Sequence, residues 1–130
     1  MERVEQDEAS TMFQRGLDAY EAGDAFEAHE HWETLWRQET APDRRRYLQA
    51  LVQIAAAVHK HRTDPAAAAR ILARAAAKLA SLDPGGWELD LDALRGAVDT
   101  AQRALTADGS GDLRVALRQA RKSTSTVAPL

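Results

Sequence analysis

Residues 24–61 decide the fold; they read DAFEAHEHWETLWRQETAPDRRRYLQALVQIAAAVHKH. Apolar side chains recur there every three or four positions, which is the spacing of an α-helix that buries one face. Asp24 is placed to cap one helix, and Pro42 suits the first turn of the next one. The stretch therefore predicts two consecutive helices, called helix 2 and helix 3 here, with helix 3 the most apolar element of the chain.

Turn residues on either side of this stretch predict further helices. Glycine stops a helix, and aspartate or proline starts one, because of their backbone and capping preferences. The fold class that follows is all-α, a compact array of about five helices built from antiparallel helical hairpins. The additional elements are helix 1 over residues 8–22, ended by Gly23; helix 4 from Pro65, with an amphipathic pattern; and helix 5 from Asp90 or Asp92 to Leu105.

Residues 1–107 are expected to form a single helical domain, and residues 108–130 a short C-terminal extension. Within the extension, residues 112–121 have the pattern of a short amphipathic helix. The final STSTVAPL, residues 123–130, lacks the apolar content to order itself, so a disordered tail is expected.

Composition narrows the class of protein. The 130 residues suit one domain, and the absence of cysteine excludes a disulfide framework or a thiolate metal site. The first ten residues, MERVEQDEAS, lack the apolar segment of a secretory signal, and no apolar run is long enough to span a bilayer. We therefore expect a cytoplasmic protein that does not associate with membranes.

Charge is unevenly distributed along the chain. The net charge is −3, but residues 1–41 hold eleven acidic and three basic side chains, whereas residues 42–80 hold two acidic and eight basic ones. This favours a complementary contact, either within the chain or with a homodimer mate or another protein partner. The overall acidity argues against a nucleic-acid partner. The side chains that would serve one are Arg44, Arg45, Arg46, Lys60, Arg62, Arg70, Arg74 and Lys78.

Ionisable side chains fall on the face of helix 2 that the sequence pattern turns inward. At about 100° per residue, His29 and Glu33 lie between Trp36 and Phe26, and they are one helical turn apart. On helix 3, His59 shares an arc with apolar residues, and Gln49 and Gln53 form a narrow polar stripe. The sequence thus predicts a buried cluster of histidine, glutamate and glutamine.

Such a cluster has three interpretations. In the first, His29 and Glu33 are a satisfied structural pair that fixes helix packing. In the second, His29, Glu33 and His59 bind zinc or another divalent metal ion, or His29, Glu33 and Glu30 act as acid and base in catalysis. In the third, a small ligand binds to Gln49, Gln53, His59 and Trp36. The segment HEHWE is not the HExxH zinc-protease motif, so that mechanism does not carry over.

Two blocks of the sequence resemble a known family. The blocks are Tyr20-Glu21-x-Gly23-x-x-Phe26-Glu27-Ala28-His29-Glu30-x-Trp32-Glu33-x-x-Trp36 and Tyr47-Leu48-Gln49-x-Leu51-Val52-Gln53-x-Ala55. Over residues 12 to 105 the chain is similar to the family catalogued as domain of unknown function 309. The resemblance implies an all-helical array without an established activity. The resemblance gives as the family's signature positions Glu27, Ala28, His29, Glu30, Glu33, Trp36, Gln49 and Gln53. The departures from the family's pattern are Glu21, Ala25, Ala50 and His31.

Three function classes follow from these observations. The leading one is a non-catalytic scaffold or interaction module, whose signature polar residues specify a packed fold. The second is a small metal-dependent or acid/base enzyme that uses His29 and Glu33. The third is weak nucleic-acid association through the basic helices 3 and 4, which would show as salt-dependent binding.

Overall fold

The computed structural model describes residues 2–83, 85–106 and 109–121. It confirms the all-α prediction, and the described residues hold five α-helices and a short 3₁₀ helix. Within the described ranges there is no β-strand, only an isolated antiparallel bridge between Leu89 and Arg121. The α-helices are α1 (Glu2–Glu21), α2 (Ala25–Gln38), α3 (Pro42–Lys60), α4 (Pro65–Ala80) and α5 (Leu91–Ala104), and the 3₁₀ helix is Arg118–Ala120.

Aspartate caps fix where three of the helices begin. The side chains of Asp24, Asp64 and Asp90 each accept a hydrogen bond from the backbone N–H three residues further on, at 3.0–3.1 Å. These bonds satisfy donors that have no partner within the helix. Gly23, with φ of +91°, ends α1 and turns the chain into α2. The capping positions predicted from the sequence are therefore confirmed.

Helix α3 lies at the centre of the array. Consecutive helices pack on each other from α1 to α4, and α5 packs on α4. Trp32 of α2 is fully buried, and its ring lies 6.1 Å from the rings of Phe13 and Tyr20 of α1. The buried residues of α3 are Tyr47, Leu48, Ala50, Leu51, Val52, Ile54, Ala55 and Ala57.

Two arginines connect the first turns of α3 to neighbouring elements. Arg44 forms a two-pronged ion pair with Glu88 in the loop before α5 and lies 3.3 Å from Glu39. The guanidinium of Arg45 lies 4.5 Å above the ring of Trp36 and donates to the backbone oxygens of Trp36 and Glu39. Arg44–Glu39 is thus the ion pair that joins the basic and acidic halves of the described chain.

The predicted amphipathic helix over residues 112–121 is wrong. Residues 112–117 have no regular secondary structure, and only Arg118–Ala120 form a helical turn. Tyr20 donates a hydrogen bond to the backbone oxygen of Val115 at 2.7 Å, and Asp90 donates its N–H to the backbone oxygen of Ala120 at 2.7 Å. We call residues 113–121 the C-terminal strap. It adds Leu113, Val115, Leu117 and Ala120 to the hydrophobic core.

The final STSTVAPL segment, for which disorder is expected, lies outside the described residues. None of the described helices combines the length and the apolar character that crossing a membrane requires.

Candidate functional site on helices α2, α3 and α4

Phe26 is exposed, although its position in helix 2 predicts that it points inward. Its exposed fraction is 52%, and it is the exposed large apolar side chain of the described residues. The buried residues of α2 are Ala25, Ala28, Trp32 and Leu35. At about 100° per residue their mean direction lies roughly 140° from Phe26. The prediction centred the inward face on Trp32, Trp36 and Phe26. Burial of Ala25, Ala28 and Leu35 rotates the true face away from Phe26.

A small, mostly apolar pocket opens beside Phe26. Its volume is about 190 Å³, and it lies where α2, α3 and α4 meet. We call it the Phe26 pocket. Its lining residues are Phe26, His29, Ala56, His59, Lys60 and Ile71.

His29 and Glu33 are half-buried rather than buried. Their side chains keep 23% and 26% of their surface exposed, and His29 Nε2 lies 3.6 Å from Glu33 Oε2. Glu33 also pairs with Arg37 at 3.0 Å, and His29 Nδ1 is enclosed without a hydrogen-bond partner. Both side chains contact solvent, and His29 also lines the Phe26 pocket, so His29 could exchange a proton with a molecule bound there.

The predicted third metal ligand does not join this pair. His59 is exposed, and it contacts Phe26 with ring centroids 5.2 Å apart. It is in the last turn of α3, beside the first turn of α2, where it lines the Phe26 pocket instead of the core. The prediction of an inward His59 is therefore wrong. Among the described residues, no three or more His, Cys, Asp or Glu side chains form a group that could hold a metal ion.

The other predicted polar positions do not line the Phe26 pocket. Gln49 and Gln53 are half-buried on α3, and Gln53 Oε1 is enclosed without a hydrogen-bond partner. Trp36 lies two turns after His29 on α2, where its ring is covered by Arg45. Glu30 is more than half exposed, and its carboxylate lies 3.8 Å from His29 Nδ1. Of the predicted cluster, His29 and His59 thus line the pocket, and the other members lie elsewhere on α2 and α3.

Opposite charges flank the Phe26 pocket. On α2, Glu27 and Glu30 are exposed, and Glu27 lies 4.0 Å from His31. On the other side, Lys60 is exposed at the end of α3 and makes no ion pair within the described part of the chain. The pocket is therefore an apolar patch with an acidic rim and a basic rim.

Sequence reasoning missed the contributions of Lys60, Ala56 and Ile71 to this site. A signal for Ile71 was present, because its half-buried position lies at the edge of the apolar arc of α4. For Ala56 and Lys60, only the packing angle between α2 and α3 brings them to the pocket, and a sequence pattern does not specify that angle.

Comparison with known proteins finds a family model that matches the region that holds the site. Residues 13–72 match the family described as Domain of unknown function (DUF309). The match ends within α4, so it is shorter than the resemblance over residues 12 to 105 suggested. No curated protein and no solved structure matches the chain.

Proposed function

We propose that residues 13–72, which match the DUF309 family model and contain all six lining residues of the Phe26 pocket, form a non-catalytic interaction module. The partner that we propose is a second copy of the same chain. The single observation that carries this proposal is the exposed ring of Phe26 directly beside an apolar pocket on the same face.

A protruding ring and a pocket on one face suit a two-fold symmetric contact. In such a contact both copies use the same patch. If a residue of one copy contacts a second residue of the other copy, the reciprocal contact also forms. The Phe26 ring of each copy would cover the pocket of the other. Burying the exposed half of each ring contributes roughly 1 kcal/mol, so two rings give about 2 kcal/mol of favourable free energy.

The charges around the pocket support a second copy rather than an unrelated partner. A two-fold axis through the pocket places the basic rim of one copy, at Lys60, against the acidic rim of the other, at Glu27 and Glu30. Each such pair forms twice. Rim charges of this kind set orientation and association rate more than affinity.

An enzyme centred on His29 and Glu33 has less support. His29 and Glu33 lie 3.6 Å apart, but His59 contacts Phe26. Gln49 and Gln53 do not line the pocket. His59 and Lys60 line the same pocket as His29, but Glu33 does not line it, so the predicted polar set is not gathered around one cavity.

Sedimentation equilibrium over a concentration series tests the proposal. The parent should show a monomer–dimer equilibrium, and Phe26→Ser should shift it to monomer by about tenfold or more in the dissociation constant. Because Phe26 is half exposed, the variant should keep the helical circular dichroism and melting temperature of the parent within 2 °C or so.

Exchanging the charges on the two rims of the pocket tests the proposed orientation and serves as the matched control. Lys60→Glu and Glu30→Lys should each weaken the dimer, and the double exchange should restore part of the affinity, because the pair is rebuilt with opposite signs. A parent that remains monomeric up to about 1 mM refutes the proposal. A dimer that Phe26→Ser leaves intact refutes the assignment of this face.

A further inference from the structure

Four basic side chains form a row on the exposed side of α4, outside the Phe26 pocket. Arg70, Arg74 and Lys78 are spaced four residues apart, so they lie on one face at steps of about 6 Å. Arg46 joins them from α3, where its Nη1 lies 3.3 Å from Ser81 Oγ just after the last turn of α4. We call these four residues the cationic row.

None of the four has a carboxylate partner in the part of the chain that the structure describes. The contrast with the two preceding arginines is informative, because Arg44 pairs with Glu88 and Arg45 covers Trp36. Asp43 and Asp83 are the acidic residues nearest in sequence to Arg46 and Ser81, and neither makes an ion pair with the row. The row is therefore positive in a protein whose net charge is −3.

The members of the row repel one another. Partial burial is the largest cause that lowers the pKa of Lys78, and the positive charges of Arg74 and Arg46 lower that pKa further. Like charges one helical turn apart destabilise a helix. An anion bound along the row would relieve this repulsion and stabilise the folded state.

We infer that the cationic row binds a linear chain of linked phosphate groups, recognised by its charge and extended shape. Small-molecule sites are concave, whereas this row lies on the outward face of a helix, which suits an extended ligand. No aromatic ring stacks on any of the four side chains among the described residues, so nucleic-acid bases have no platform here.

Binding of inorganic polyphosphate of defined length, measured by calorimetry at several salt concentrations, tests the inference. With three or four phosphates neutralised, log K should fall with log salt at a slope of about −2 to −3. Each charge removed should weaken binding by about eightfold at 50 mM salt. Arg74→Gln with Lys78→Gln is thus expected to lose about sixtyfold.

The control is Arg103→Gln, which removes an exposed arginine of α5 that pairs with Asp99 at 3.1 Å. It should bind polyphosphate like the parent. A homopolymer oligonucleotide with the same number of phosphates separates the two sources of phosphate. Equal or weaker binding of the oligonucleotide, without base preference, supports the inference. Three results overturn it: no polyphosphate binding at 20 mM salt, equal losses in the row and control variants, or base-dependent binding of the oligonucleotide alone.

Discussion

Replacing Gly16 by alanine tests how closely α1 and α2 approach. A Cβ atom at Gly16 would lie 2.2 Å from Nε1 of Trp32 and 2.6 Å from Cδ1 and Cε2 of the same ring. Trp32 cannot move freely, since it is fully buried between aromatic neighbours and donates a hydrogen bond to the backbone oxygen of Phe13 at 3.2 Å. The added methyl group must therefore separate the helices or displace the indole.

The magnitude follows from three contributions. Overpacking a core costs about 1–3 kcal/mol. Losing the indole hydrogen bond and leaving a buried donor unsatisfied costs about 1–3 kcal/mol more. Alanine has a higher helix propensity than glycine, which offsets about 1 kcal/mol. Gly16→Ala should therefore lower the free energy of unfolding by about 3 kcal/mol and the melting temperature by roughly 10 °C.

Gly96→Ala is the matched control, because Gly96 is also within an α-helix and a Cβ there meets no atom within 4 Å. It should gain about 0.5–1 kcal/mol, the ordinary effect of this substitution in an open helix. Urea unfolding followed by circular dichroism measures both variants. Equal stabilities of the two variants, or a Gly16→Ala protein as stable as the parent, would refute the close approach of α1 and α2.

Two further predictions concern the C-terminal strap and the tyrosines. Truncation after Asp112 removes four buried apolar side chains, Leu113, Val115, Leu117 and Ala120, and should lower the free energy of unfolding by about 5 kcal/mol or more, measured by thermal unfolding. Tyr20→Phe, which removes only the hydrogen bond to Val115, should cost about 1 kcal/mol. A truncated protein within 1 kcal/mol or so of the full chain would contradict this. Burial raises the pKa of Tyr20 and of Tyr47 above the value of about 10 expected in the unfolded chain. Above about pH 10 the unfolded state loses tyrosine protons that the folded state keeps. The free energy of unfolding is therefore retained below that pH and falls above it, by up to about 2.7 kcal/mol per pH unit for the two groups. Urea unfolding of the parent and of Tyr20→Phe from pH 8 to 11 checks this. The variant should lose about half of the pH dependence of the unfolding free energy that the tyrosines contribute. Phenolate absorbance that appears near pH 10 in folded protein would contradict the prediction.

Helix starts were predictable from the sequence because they depend on local chemistry. A capping aspartate needs only the backbone three residues away, and the bonds of Asp24 and Asp90 form as the sequence indicates. The start of α1 was missed, since the helix begins at Glu2 rather than near residue 8. Residues 2–7 lack the apolar periodicity that would reveal it.

The buried face of α2 could not be predicted from local chemistry alone. Alanine carries little hydrophobic signal, yet Ala25 and Ala28 point to the core because their small side chains allow close helix packing. Because Phe26 is large and apolar, the predicted buried face included it, and His29 and Glu33 were therefore predicted to be buried as well. Both side chains are instead half-buried, and His29 lines the Phe26 pocket rather than a sealed core.

Residues 112–121 carry two periodicities at once. Leu113 and Leu117 suit a helix, while Leu113, Val115 and Leu117 also alternate like an extended chain. The structure follows the second pattern, because the hydrogen bond from Tyr20 to Val115 holds the chain extended against α1. A contact between residues 95 positions apart is not readable from a local window.

That long separation has a consequence for synthesis on the ribosome. Residues 113–121 emerge only after all five helices have been made, so the core positions that Leu113, Val115 and Leu117 fill stay open while the helical array collapses. Closing a loop of this length carries an entropic penalty that local helix contacts do not face, so docking of the strap should be the late step of folding. A nascent chain stalled before the strap has left the exit tunnel would display this apolar surface to chaperones, and release of the strap would withdraw it.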